Sequence, residues 1–184
     1  MAALAHELLA AASVAGRICV GLVFLLAAVQ KAMHWRVLAG VIANYRLLPR
    51  GMEVPAAALL PPAEVVLAIL LLSAQLRPWS AWMAMALLGM FALAMAINIK
   101  RGRADIDCGC GETFLRQPLN WVLVARNAML AAVLLPSLLM TAAPMAMSLA
   151  LSGVAAGLGL FLLYLLLNIL AALPPLDARG HRFA

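Results

Sequence analysis

The sequence predicts an all-α, polytopic membrane bundle with five transmembrane helices, and three observations predict it. Of the 184 residues, 67% are hydrophobic and only 11% charged, whereas a soluble domain carries roughly 45 to 50% and about 25%. Mean hydropathy is +1.06, which also excludes a disordered chain, since disorder needs low hydrophobicity and high charge. The apolar runs are each about as long as the ~20 residues a membrane-crossing helix needs, and none alternates as a barrel strand would.

The elements follow in order. A first apolar stretch runs from Val14 to Ala32, opened by Arg17 and closed by Gln30 and Lys31. Residues 1–13 hold His6 and Glu7 but no basic cluster, so this stretch is expected to stay in the membrane rather than be cleaved as a signal. The second span, Val54 to Leu76, is interrupted by Pro61, Pro62 and Glu64. Two prolines imply either a kink or a helix that starts at Pro61. The third, Trp79 to Ile99, follows the Arg77-Pro78 turn, with tryptophans at its entrance where an interfacial belt lies. The fourth runs from beyond Pro118 to Met140 with Arg126 and Asn127 inside it. The fifth, Met145 to Leu173, holds only Asn168 as a strongly polar residue. The expected organisation is one integral membrane domain: an N-terminal segment 1–13, a four-helix core 14–141, a fifth helix 142–173 and a polar tail 174–184.

Net charge is +6 and the pI near 10.1, but the basic residues are scattered at the ends of apolar segments. That pattern points to lipid headgroups and not to nucleic acid. Five spans divide the loops into two faces. One face carries ten basic residues: Lys31, Arg36, Arg46, Arg50, Lys100, Arg101, Arg103, Arg116, Arg179 and Arg182; the other carries Arg17 and Arg77. Taken alone, the positive-inside tendency places the loop-rich face in the cytoplasm.

An ionisable residue inside a span costs at least ~2.5 kcal/mol on insertion scales, so it normally has a partner. Glu64 and Arg126 enter the membrane from the same face at roughly similar depth, which predicts an ion pair between them. Such a pair either locks two helices together or shapes a polar pocket. Lys31, Asn98, Arg101 and Asn127 lie near the same face. Lys31 and Arg101, taken singly, read as side chains that snorkel from helix ends to the interface. Together the six form a candidate polar cluster below one loop.

That loop contains Asp107-Cys108-Gly109-Cys110-Gly111-Glu112. Cysteines two apart can approach within the ~4.4 to 6.8 Å Cα separation of a disulfide, and the glycines permit the tight backbone this requires. A strained, exposed ring of this kind is oxidising and exchangeable, which makes Cys108 and Cys110 the candidate catalytic redox pair. Arg101 and Arg103 favour the reactive thiolate, and Asp105, Asp107 and Glu112 oppose it. A structural zinc site needs about four ligands, and His34 is the sole histidine of another loop on this face, so no metal is expected. Cys19, near the opposite end of the first span, reads as a small apolar residue.

With these residues in place, the chain resembles the MauE family of methylamine utilisation membrane proteins, within the broader DoxX-like group. The resemblance rests on Arg17 and Lys31 bracketing the first span, Tyr45-Arg46-Leu47-Leu48-Pro49, Glu64, Asn98 with Arg101-Gly102, the Asp107 to Gly111 loop, and Arg126-Asn127. Glu112 replaces the small or aromatic residue expected there. The resemblance implies four of the helices as a family core. It further implies a role in maturing methylamine dehydrogenase, whose small subunit is rich in disulfides, together with a thioredoxin-like periplasmic partner, MauD. By analogy Cys108 and Cys110 exchange electrons with that partner, the bundle linking it to a quinone pool or to another reservoir, so that a quinone is the one cofactor the analogy suggests. The implied location is the bacterial inner membrane. A periplasmic partner favours the cysteine loop outside, against the basic count, so two orientations stand, the periplasmic one slightly ahead. The alternative function is a non-catalytic scaffold, chaperone or export factor for the subunit. Solute transport is less favoured, because only the Pro61-Pro62 helix has an obvious break.

Overall fold

The computed structural model describes residues 2–73, 78–106, 108, 118–139 and 146–172. Within them lie seven helices: α1 (Ala2–Met33), α2 (Trp35–Tyr45), α3 (Glu53–Leu72), α4 (Trp79–Lys100), α5 (Trp121–Val133), α6 (Leu135–Leu139) and α7 (Met147–Ala172). Five stretches, Leu4–Met33, Glu53–Leu72, Trp79–Lys100, Trp121–Leu139 and Met147–Leu170, are long and apolar enough to cross a membrane. The protein is therefore an all-α bundle of five potential spans, as the composition predicts.

Three differences from the expected elements have physical causes. First, α1 begins at Ala2, well before Val14, because the alanine- and leucine-rich start of the chain has strong helix propensity and no breaker. Second, the Lys31 to Glu53 loop contains α2, an amphipathic helix whose buried residue is Leu38 and whose Trp35 and Val37 are exposed. A helix of that character lies along the interface rather than across it. Third, α3 does not start at Pro61: it runs unbroken from Glu53 through both prolines. Prolines are tolerated in membrane helices where neighbouring groups take up the carbonyls they leave. The fourth span does break: α5 ends at Val133 and α6 restarts around Pro136, whose ring cannot accept the preceding helical turn.

The core lies between α1, α3, α4 and α5, with Val20, Phe24, Leu71, Ala84 and Leu134 at its centre. Small residues let the helices approach closely. A Cβ on Gly16 of α1 would stand 2.3 Å from the Val133 carbonyl oxygen of α5. On α7, Gly153 and Gly157 receive Val14 and Ile18 of α1, so α7 docks against α1 on a stripe of small residues. Ser13 and Ser137, both buried, hydrogen-bond across α1 and α6 at 3.1 Å.

The Gly16 contact predicts that Gly16→Ala destabilises the detergent-solubilised protein by about 1–3 kcal/mol. Gly40→Ala, where nothing stands within 4 Å of the added carbon, should be neutral or slightly stabilising. Thermal unfolding of the two variants measures the contrast.

Candidate functional site: a buried ion pair beneath the cysteine loop

Lys31 ends α1 and Glu64 lies one turn beyond the prolines of α3. In a helix the Cα–Cβ bond leans toward the N-terminus, so Lys31 leans back into the bundle while Glu64 leans up to meet it. Their side chains meet at 2.6 Å with 7% and 0% exposure. The ammonium also stands 5.3 Å from the centroid of the Phe91 ring on α4, within cation–π range. Lys31 thus joins three helices. This corrects two expectations: Lys31 does not snorkel to the interface, and Glu64 does not pair with Arg126.

Arg126 instead turns toward α7, where its Nη1 donates to Asn168 Oδ1 at 2.7 Å and its guanidinium stands 5.7 Å from the Tyr164 ring centroid. Its Nε has no hydrogen-bond partner among the described residues. Asn127 is buried and donates to the Leu123 carbonyl one turn back. The six polar residues therefore form separate groups and not one cluster: Lys31 with Glu64, Arg126 with α7, Asn127 within α5, Asn98 at the loop, and Arg101 exposed.

The entry to the cysteine loop is built by Asn98 and by Arg103, for which the sequence predicts only an electrostatic effect on the thiols. The end of α4 is a Schellman turn. Gly102, at φ +72°, donates to the Ile99 carbonyl, and Arg103 N donates to the Asn98 carbonyl, each at 3.0 Å. The buried Asn98 side chain donates to Ala94 O and accepts from Arg103 Nη1 at 3.4 Å. Arg103 Nη2 reaches across to the Asn44 carbonyl on α2 at 2.7 Å. Leu119 N donates to both the Ala104 and Ile106 carbonyls, which brings the two ends of the loop together. Asn120 then caps α5 by accepting from Leu123 N at 3.0 Å.

Cys108 is held in this frame. Its carbonyl accepts a hydrogen bond from Tyr45 Oη at 3.1 Å, and it packs with Met95, Leu119 and Leu123 at 5% exposure. The expected exposed thiol is thus buried, because Tyr45 of α2, Met95 of α4 and Leu119 and Leu123 around the start of α5 pack about Cys108. Cys110, Asp107 and Glu112 lie outside the described residues, and with them the Cys108–Cys110 pairing, as do Arg77, Arg116, the 141–144 turn and the tail. Cys19 is buried in the central core, far along α1 from Lys31. Among the described residues no three His, Cys, Asp or Glu side chains gather so as to hold a metal ion.

Below Cys108 opens a cavity of about 310 Å³ bounded by α1, α2, α3 and α4. Its wall is aliphatic and aromatic, including Leu38, Leu60, Met90 and Phe91. Lys31, Tyr45 and Cys108 also line it.

The sequence profile of the family described as "Methylamine utilisation protein MauE" matches residues 9–142. The chain belongs to the MauE family. "Methylamine utilization protein MauE" of Paracoccus denitrificans is 39% identical over 159 residues, covering 85% of this chain and 86% of that protein. Its namesake in Paracoccus versutus is 40% identical over 153 residues, 82% of each chain. The protein of the same name in Methylorubrum extorquens is 40% identical over 141 residues, 75% of this chain and 76% of the relative. No solved structure matches. Involvement in methylamine utilisation is thereby shown for the family, and the helices fit a multi-pass membrane protein. The residues matched by the family profile include Lys31, Glu64, Asn98, Cys108 and Arg126.

If Arg103 and Tyr45 hold the loop down, their removal should expose Cys108. In a Cys19→Ala, Cys110→Ser background, Arg103→Ala should raise the rate of maleimide labelling of Cys108 about tenfold, the size expected for losing a charged hydrogen bond. Arg101→Ala should leave the rate unchanged.

Proposed function

We propose that this protein is an inner-membrane factor for the maturation of methylamine dehydrogenase. In this reading it supports disulfide formation or folding of the disulfide-rich small subunit, together with a thioredoxin-like, MauD-like partner. The observation that carries the reading is the position of Cys108: a cysteine of a Cys-Gly-Cys loop fixed by Asn98, Arg103 and Tyr45 above a cavity in the bundle. A cysteine that served only as an apolar filler would not need a loop stapled on both sides, and Cys19 shows how such a residue sits inside a helix.

The chemistry is thiol–disulfide exchange. A partner thiolate attacks the disulfide of Cys108 and Cys110, a mixed disulfide forms, and a second partner thiolate resolves it. The partner leaves oxidised by two electrons, and the two cysteines are left as thiols. Burial of Cys108 limits access to partners that open or enter the loop, which suits a dedicated partner better than a general oxidant.

Cys108→Ser and Cys110→Ser should each lower the yield of active methylamine dehydrogenase in cells by about tenfold or more, because one thiol cannot complete the exchange cycle. The membrane level of each variant, measured by immunoblot, should match the parent. Undiminished enzyme in both variants would instead support the scaffold or export-factor reading.

A further inference from the structure

The cavity beneath Cys108 is a slot that runs along the helices. α3 starts on the loop face at Glu53 and lends it Ala56 and Leu60, and α4 ends on that face at Lys100 and lends it Met95, Ala94 and Met90. At ~1.5 Å per residue the lining descends from the loop face by roughly 10 Å on α3 and 15 Å on α4. We propose that the slot holds one acyl chain of an anionic phospholipid, whose phosphate is received by Arg46 and Arg50 at its upper edge.

The walls fit a chain. Leu38, Val41, Ile42 and Tyr45 of α2 line the slot, and their spacing of three and four puts them on one face of that helix. Leu38 is buried, whereas Val41, Ile42 and Tyr45 are only partly so. The apolar face of an interfacial helix is thus left incompletely covered by protein. Lys31, the one charged residue of the lining, is neutralised by Glu64 at 2.6 Å, so an apolar occupant meets no unpaired charge. At about 310 Å³ the space is at the small end of small-molecule sites. A partner helix, about 10 Å across, is too broad for it, whereas an extended methylene chain lies along it.

The segment Arg46-Leu47-Leu48-Pro49-Arg50 supplies the charge. Leu47 and Leu48 line the slot, and an exposed arginine stands on either side of them. The turn is set by Arg46 at φ +50°, which caps α2, and by Gly51 at φ +92°, just before α3. Glu53, the acidic residue beside it, accepts from Gly51 N at 2.7 Å. Neither arginine side chain has a hydrogen-bond or ion-pair partner among the described residues. Guanidinium groups bind phosphate in a two-pronged geometry. Two of them favour a headgroup of net negative charge over one whose own ammonium would face them. An occupied slot also gives α2 a complete floor, and α2 holds Asn44 and Tyr45 against Arg103 and Cys108.

The test titrates the full chain, purified in mild detergent, with phosphatidylglycerol and separately with phosphatidylethanolamine of the same chains, bound lipid being counted by native mass spectrometry. One phosphatidylglycerol per chain should bind saturably, about tenfold or more tighter than phosphatidylethanolamine. Arg46→Ala combined with Arg50→Ala should abolish that preference. Arg36→Ala, which removes an α2 arginine stacked on Trp35, should keep it. Ala94→Trp fills the slot and should weaken phosphatidylglycerol binding about tenfold or more. Leu60→Trp on α3 serves if Ala94→Trp melts early by circular dichroism. Glycerol phosphate, which has the phosphate and no chain, should not compete. Equal affinity for the two lipids, the same loss of preference in Arg36→Ala, displacement by glycerol phosphate, full affinity in both tryptophan variants, or a dimer that binds no lipid overturns the proposal.

Discussion

Two opposite charges, Lys31 on α1 and Glu64 on α3, meet inside a bundle where neither can reach bulk water. Withdrawing such groups from water costs several kcal/mol per ion, and the cost is offset only while the two remain in contact. The pair therefore acts as a constraint on register. Sliding or rotating α3 against α1 would leave a charge uncompensated in a medium that cannot solvate it. At the other end of α3, Arg17 donates through Nε and Nη2 to the Leu71 carbonyl at 3.0 and 2.7 Å. That cation satisfies a carbonyl of the last turn and sits at the negative end of the helix dipole. Held at two levels by basic residues of one helix, α3 has little freedom to rotate.

The working side follows from that registration. Phe91 brings α4 against the Lys31 ammonium, and α4 carries Asn98, which in turn holds Arg103 and the start of the cysteine loop. The interfacial α2 closes the arrangement through the Asn44 and Tyr45 contacts. The cavity is what these four elements leave between them. On the far side, Arg126 serves a different partner, tying α5 to Asn168 of α7.

The bundle and its spans were legible because membrane insertion is decided by apolar length, a local property of sequence. The loop was legible because Cys-Gly-Cys is a compact motif. Pairing among the polar residues was not. Depth along a helix matched Glu64 with Arg126, but depth says nothing about which helices are neighbours or which way each side chain leans. The lean of Lys31 back toward the N-terminus of α1 was available from helix geometry and outweighs snorkelling once a carboxylate lies on the adjacent helix. Arg103 was harder to place, since its role depends on α2, and an eleven-residue amphipathic helix resembles a loop when read for spans alone.

The central claim is that Lys31 and Glu64 act as a unit that fixes α1 on α3 and thereby builds the space beneath Cys108. The direct measurement is a double-mutant cycle of Lys31→Met and Glu64→Met, followed by reversible unfolding in detergent. A true buried pair predicts that each single replacement costs about 3–5 kcal/mol by stranding its partner, and that the double replacement costs less than either. Losses that simply add, or single replacements without effect, would contradict the account.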